Sequence, residues 1–305
     1  MNGALLIDKP QGITSAGVLR CLERHFSIKG FGHAGTLDPM ATGLLIVLCG
    51  AATKLQSLFL ESEKMYEGSI KVGLRTDTDD VEGRTLAEDR ELAFLSRGSL
   101  DEWRARILET FSGGYAQRPP SFSAVKSGGK KSYQLARAGK VMELTPRSVE
   151  ITFLHLEFTD ASRIEYRIRC SKGTYVRSLA RDIGELLGSG ACLESIRRLS
   201  SGGFQVCDAL PLERLMADSP EAHLLGMGEL VAGLPRVELG ADECRRLRQG
   251  IQTPLAGISE EQLGDAELAA LFSASGEFQG MAEKVPVLRE NRSWRVRFLL
   301  PQSTV

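Results

Sequence analysis

Apolar residues run unbroken from Ala4 to Ile7 and stop at Lys9-Pro10, the pattern of a short buried strand. Thr14 or Ser15 then caps a helix reaching about His25, with Val18, Leu19 and Leu22 on one face. A strand over Leu44 to Leu48, a helix around Thr53 to Leu60 and a strand from Lys64 to Val72 follow. Leu100 to Phe111 has helical spacing. Residues 148–158 and 163–170 read as strands, the second alternating Ile164, Tyr166, Ile168, and a helix spans about Tyr175 to Leu187. The intervals are less regular. Residues 30–43, rich in Gly, Thr and Pro, predict no regular element; residues 75–90 predict an exposed acidic loop. Gly113 to Gly129 reads as a mobile loop, and Ser132 to Ala138 as a short basic helix. Strands come in adjacent pairs as well as singly. The expected class is therefore α+β with a mixed, largely antiparallel sheet, not a doubly wound parallel one.

After about residue 232 the pattern changes to short strands, of which Trp294 to Leu299 is the clearest. With 305 residues the chain is comfortable for two domains, so the expected division is 1–232 and a small β-rich unit at 233–305. Composition is that of an ordinary globular protein, 42% hydrophobic and 25% charged. No stretch of about 18 apolar residues predicts a membrane span, and the first ten residues do not read as a secretory signal. The six cysteines contain no C-x-x-C pair, which argues against structural zinc or a disulfide framework and suits a reducing cytoplasm. Coiled-coil heptads are absent, so a monomer is the default expectation.

Net charge is -1, but its distribution is uneven. Lys126, Lys130, Lys131, Arg137, Lys140 and Arg147 face a single acid, Glu143, across 126–147. Between Arg163 and Arg181 six more basic residues meet only Glu165. Two basic tracts in a near-neutral chain fit either a polyanion footprint on one surface or solvated faces paired elsewhere.

Two motifs are set aside. Gly30-Phe31-Gly32-His33-Ala34-Gly35 satisfies G-x-G-x-x-G, yet a helix precedes it and Pro39 prevents one from opening after it, so phosphate finds no helix N-terminus. Asp77-Thr78-Asp79-Asp80 lacks the glycine and glutamate of a calcium loop and reads better as a solvated turn. More informative is the run from Gly32 to Gly43, which packs glycines, His33 and Asp38 into a loop between apolar strands. Its glycines allow close backbone approach to a ligand, and Pro39 biases Asp38 toward extended geometry. On spacing alone, an aspartate so held is more often a turn former than a catalyst.

That run, Gly32-His33-Ala34-Gly35-Thr36-Leu37-Asp38-Pro39-Met40-Ala41-Thr42-Gly43, resembles the signature of the TruB family of tRNA pseudouridine synthases. Further matches recur in order. They are Asp8-Lys9-Pro10, then Lys64-x-Tyr66 with Gly73 and Thr76 to Asp79, then Ser171-Lys172-Gly173-Thr174-Tyr175-Val176-Arg177, and Leu199 within an Ile-Arg-Arg-Leu stretch. Together they span about residues 4–206.

The resemblance implies a pseudouridine synthase fold with a PUA-like C-terminal domain and isomerisation of uridine 55 in the tRNA T-loop. Asp38 would be the catalytic carboxylate and Arg177 its partner. Tyr66 would stack on the target base, and His33 would fill the space that the flipped base vacates. On their own residues, Tyr66 reads as a core tyrosine and His33 as a loop histidine. Lys9, Tyr175 and Leu199 are expected substrate-site residues. Residues 113–147 would form an RNA-binding insertion whose Lys126, Lys130, Lys131 and Arg137 meet phosphates. The T-arm stem-loop of tRNA is then the expected partner, with no cofactor, metal or guide RNA. The rival expectations are a guide-RNA-dependent synthase subunit and a non-catalytic tRNA-folding protein.

Overall fold

The computed structural model describes residues 1–122, 126–127, 130–131, 144–249, 263–285 and 294–300. Strand β1 (Gly3–Lys9) leads to helix α1 (Ser15–Phe26), whose first turn is capped by Thr14 Oγ1 accepting from Gly17 N at 2.9 Å. Short β2 (Phe31–His33) and long β3 (Thr42–Cys49) flank the Asp38 loop. Helix α2 (Gln56–Glu61), strand β4 (Lys64–Val72) and the hairpin β5 (Leu74–Thr76) and β6 (Thr85–Glu88) come next. Helix α3 (Leu100–Phe111) begins with a reciprocal capping box between Ser99 and Glu102, which contributes about 1 kcal/mol. Strands β7 (Gly113–Gln117), β8 (Lys126–Ser127), β9 (Lys130–Lys131), β10 (Arg147–Asp160) and β11 (Arg163–Cys170) precede helix α4 (Val176–Leu187).

The remainder comprises β12 (Ala191–Ser201), β13 (Phe204–Gln205), β14 (Leu210–Pro211), helix α5 (Leu212–Ala217), β15 (Leu225–Gly226) and helix α6 (Met227–Leu230). A second sheet of β16 (Arg236–Leu239), β17 (Leu268–Ser273), β18 (Phe278–Lys284) and β19 (Trp294–Leu299) carries helix α7 (Ala241–Arg248).

The main sheet has eleven strands, with β14-β1-β3-β12-β4-β11-β10-β7 as its path. Among the described residues of this sheet only the β1–β14 and β3–β12 pairings are parallel, so the α+β class with a mixed, largely antiparallel sheet holds. The central strands read as unbroken apolar runs because both their faces are covered. In β1 and β3, Leu5, Ile7, Leu45 and Val47 pack toward α1 and α5, while Leu6, Leu44 and Ile46 pack the other way. There they meet Ala270, Phe272, Phe278 and Met281 of the second sheet, so the C-terminal strands share a core with the main sheet. A third cluster joins β4, β10 and β11 to α3 and α4 through Ile70, Trp103, Ile107, Ile164, Leu179 and Ile183.

Three local expectations are corrected. Residues 30–43 contain β2, which pairs antiparallel with β3. Residues 75–90 form the β5–β6 hairpin instead of a plain loop. Gly113 to Gln117 is an edge strand on β10, where the ladder overrides the poor strand propensity of Gly113-Gly114. The helix expected at Ser132 to Ala138 lies outside the described residues. Among those described, no helix is long and apolar enough to cross a membrane, and the six cysteines are free.

Candidate active site

Asp38 lies in the irregular segment between β2 and β3, which has no ladder to satisfy its backbone. Side chains from three other elements supply the missing partners, as buried peptide groups require. Lys9 Nζ donates to Pro10 O and Ile13 O, each at 2.8 Å, and to Pro39 O at 3.4 Å. Ser15 Oγ accepts from Leu37 N at 2.8 Å and donates to Leu37 O at 3.1 Å, clamping the residue before Asp38. Arg198 Nε donates to Leu44 O at 2.7 Å and its Nη2 to Gly35 O at 3.1 Å. All three side chains are buried. Gly43, with φ of 97°, is needed where β3 meets β12, because a Cβ there would come within 2.3 Å of Arg198 O.

Arg177, in the first turn of α4, grips Asp38 with both prongs of its guanidinium. Its Nε donates to Asp38 Oδ2 at 2.9 Å and its Nη2 to Asp38 Oδ1 at 3.2 Å. The remaining donors go to Thr78 O at 2.9 Å and Phe122 O at 3.0 Å, and Asp80 Oδ2 lies 3.8 Å from Nη1. The asymmetry in exposure matters: the Arg177 side chain is 7% exposed and that of Asp38 is 41%. The arginine is fixed within the protein, and the carboxylate it holds opens outward, where a ligand can reach it.

Tyr66 stands on β4, opposite Arg198 of β12 and Ile168 of β11. Burial pushes its phenol above the ordinary value, with the charge of Arg198 and a hydrogen bond from it pulling back, and it stays protonated at neutral pH. Ile196 and Tyr66 both pack where the α1-side cluster of β1 and β3 meets the cluster of β4, β10, β11, α3 and α4. His33 closes β2; its carbonyl accepts from Gln56 Nε2 at 2.8 Å, and its buried Nδ1 has no partner. Burial chiefly, and then Arg198, push His33 below 6.5, so the ring is neutral at pH 7. Burial likewise pushes Lys9 down to about 8, against the pull of Asp38.

The structure therefore joins Arg177 to Asp38 directly and sets Tyr66 beside Arg198 and within reach of the Asp38 charge. Lys9, expected to meet substrate, is instead wholly enclosed, and its ammonium ties the turn before α1, through Pro10 O and Ile13 O, to Pro39 O of the Asp38 loop. Tyr175 precedes α4, its backbone held on both sides by Gln117, with Tyr175 N donating to Oε1 at 2.8 Å and Nε2 donating to Tyr175 O at 3.1 Å. Leu199 is half-buried on β12, near the register shift between Arg198 and Ser200. The backbones of Lys126 and Ser127 pair with Lys131 and Lys130 as a two-residue ladder, and Arg137 lies outside the described residues.

The acidic run also needs correction. Asp80 is 6% exposed, and its carboxylate accepts from Thr78 Oγ1 at 2.6 Å and Glu82 N at 3.1 Å. Asp79 pairs with Arg181 at 3.2 Å. This turn is built into the site, not solvated. The sequence reading gave Ser15, Asp80, Ile196 and Arg198 no place in the site. Arg198 stood within the Ile196-Arg197-Arg198-Leu199 stretch that carries the resemblance, and its burial demands carbonyl acceptors. Among the described residues no three His, Cys, Asp or Glu side chains gather as a metal-holding group.

Comparison with known proteins bears on the same residues. Residues 23–176 match the model of the TruB family pseudouridylate synthase N-terminal domain, and residues 177–240 that of the tRNA pseudouridylate synthase B C-terminal domain. A tRNA pseudouridine synthase B from Azoarcus sp. (strain BH72) is 43% identical over 82% of this chain and 82% of its own length. One from Syntrophotalea carbinolica is 37% identical over 96% and 95%. The fold also matches a chain of a Cbf5-Nop10-Gar1 complex, with a TM-score of 0.72 at 22% identity, covering 97% of this chain and 84% of that one.

Proposed function

This chain belongs to the TruB family of pseudouridine synthases, and from that premise we propose that it isomerises uridine 55 in the T-loop of tRNA, with Asp38 as the catalytic carboxylate. The reaction class, uridine to pseudouridine in tRNA, follows from the family. The observation that carries the residue assignment is the bidentate Arg177–Asp38 pair, a buried guanidinium holding a half-exposed carboxylate.

The chemistry balances within one nucleotide. The N1–C1′ bond breaks, the base turns, C5 bonds to C1′, and the C5 proton departs as N1 acquires one. No electrons are transferred and no group passes to a second molecule. The target base must leave its stack, at a cost of a few kcal/mol, before either step. Arg177 orients Asp38 toward the ribose or base through two charge-assisted hydrogen bonds. Asp38 then either attacks carbon or removes the C2′ proton, and both roles require an ionised oxygen facing the sugar. Tyr66, protonated and adjacent, stacks on the base and lies ready to assist as the C5 proton leaves. His33, neutral and with an unpartnered nitrogen, suits insertion into the T-loop in place of the flipped base.

In the same reading Lys126, Lys130, Lys131 and Arg137 contact phosphate, residues 233–305 act as a PUA-like RNA-binding unit, and the chain works in the cytoplasm as a monomer without guide RNA. The test uses an unmodified tRNA transcript and the purified protein alone, followed by position-resolved analysis of pseudouridine. The expected result is one pseudouridine, in the T-loop, that disappears when that uridine is replaced by cytidine. Pseudouridine elsewhere only, or none without added RNA, would overturn the target or the guide-free assignment.

A further inference from the structure

Arg177 is not the only arginine that helix α4 sends toward the 118–122 segment. Arg181 lies one helical turn further on, so the two project from one face. Its Nη1 reaches Asp79 Oδ2 at 3.2 Å, and its Nε and Nη2 meet Asp182 Oδ1 at 2.9 and 2.7 Å. Nη2 also donates to Arg118 O at 2.8 Å, just as Arg177 Nη2 donates to Phe122 O at 3.0 Å. Tyr115 Oη approaches Asp182 Oδ2 at 3.4 Å and accepts from Gln117, whose amide also grips Tyr175 on both sides of its peptide. Every partner of this cluster thus belongs to one of three parts: the first two turns of α4 with Tyr175 before it, the Asp79–Asp80 turn, or β7 with the segment that leaves it.

Resting on the functional reading above, we infer that Arg181 is a positioning residue: with Asp79 and Asp182 it pins the 118–122 segment, and through the Phe122 carbonyl it fixes the guanidinium that orients Asp38. Stability alone does not explain the cluster. One guanidinium serves two carboxylates with side chains only 15% and 17% exposed, and burial pushes Asp79 up to about 6 and Asp182 upward too. Buried ion clusters of this kind rarely stabilise more than apolar packing would. What the cluster supplies is geometry, by joining two chain segments at fixed distances to the helix that carries Arg177. A shift of about 1 Å in a group that orients a catalyst can cost on the order of a hundredfold in rate.

The experiment compares native protein with Arg181→Met and Asp79→Asn by two readouts. Amide exchange over residues 113–122 reports anchoring without reference to activity, and should accelerate at least tenfold in Arg181→Met and less in Asp79→Asn. Single-turnover conversion of a T-arm stem-loop, with protein in saturating excess, should fall ten- to a hundredfold. The Kd for the same stem-loop should stay within threefold of native, and Tm within a few degrees. Unchanged exchange would overturn the anchoring; accelerated exchange with a native single-turnover rate would overturn the coupling to Asp38. A rate that falls only in step with loss of folded protein would reduce Arg181 to an ordinary structural residue. If the native protein forms no pseudouridine, the functional reading fails by itself, and the exchange result still decides whether Arg181 anchors the segment.

Discussion

The Asp38 loop and the C-terminal sheet are both packed against β1 and β3, but they are held by opposite means. The sheet relies on apolar alternation: in β17, Ala269 and Leu271 face α7, and Ala270 and Phe272 face the catalytic sheet. The loop, in contrast, is held by Lys9, Ser15, Arg198 and Arg177, buried polar side chains aimed at backbone carbonyls or at Asp38 itself. Apolar packing tolerates small shifts and repays burial by area. Hydrogen bonds from buried cations fix position closely, at a desolvation cost. The region that needs stability uses the first device, and the region that must present a carboxylate uses the second.

The comparison breaks most visibly at Arg198. Arg198→Met would leave the Gly35 and Leu44 carbonyls unpaired, at roughly 1–3 kcal/mol each. Chemical denaturation should therefore show a loss of about 2–6 kcal/mol, together with a fall in turnover of more than tenfold in the protein that remains folded. Phe272→Ala sharpens the other side. This ring, 8% exposed and edge-on to Phe278 at 5.7 Å, should cost about 3–4 kcal/mol in the same denaturation assay. Turnover per folded molecule should nevertheless stay within twofold, since Leu37 and Ala41, which flank Asp38, pack in the cluster on the other face of β1 and β3. A matching loss of turnover would mean that the two regions are not held independently.

The smallest effect is one of pH. Burial raises Asp79 from the ordinary 3.8 to about 6 in the folded chain. A carboxyl whose folded pKa exceeds its unfolded one binds its proton more tightly when native. Its contribution is complete below about 3.8 and is lost as pH rises through about 6. Relative to Asp79→Asn, the native protein should therefore gain on the order of 1–3 kcal/mol as pH falls from 7 to 4, measured as the difference between two denaturation series. A difference that is flat with pH would show that Arg181 compensates Asp79 fully.

What could be read from the sequence divides along the same line. Apolar periodicity marks Lys64–Val72 and Leu100–Phe111 with the bounds found, because burial writes itself into residue type. The Asp38 loop was legible as unusual through its glycines and Pro39, and as a site through the resemblance carried by Tyr66 and Arg177. Its tethers were not, since nothing local to Lys9 or Arg198 tells which carbonyl, dozens of residues away, each will meet. Asp79 and Asp80 misled for the same reason: a run of acids reads as solvated until α4 is seen to bring Arg177 and Arg181 against it. Gly113-Gly114 misled because strand pairing comes from β10 and not from the glycines.

The central claim is that Asp38, oriented by Arg177, does the chemistry. It is tested most directly by tritium release from a C5-tritiated uridine in a T-arm stem-loop, comparing native protein with Asp38→Asn. Asparagine keeps the shape of the side chain and removes its charge, and the buried Arg177 retains Asp80 nearby, so the fold should persist with a near-native Tm. Release by the native protein, with a rate at least a thousandfold lower for the variant, is the predicted result. Comparable release by both proteins would contradict the assignment of Asp38 as the catalyst.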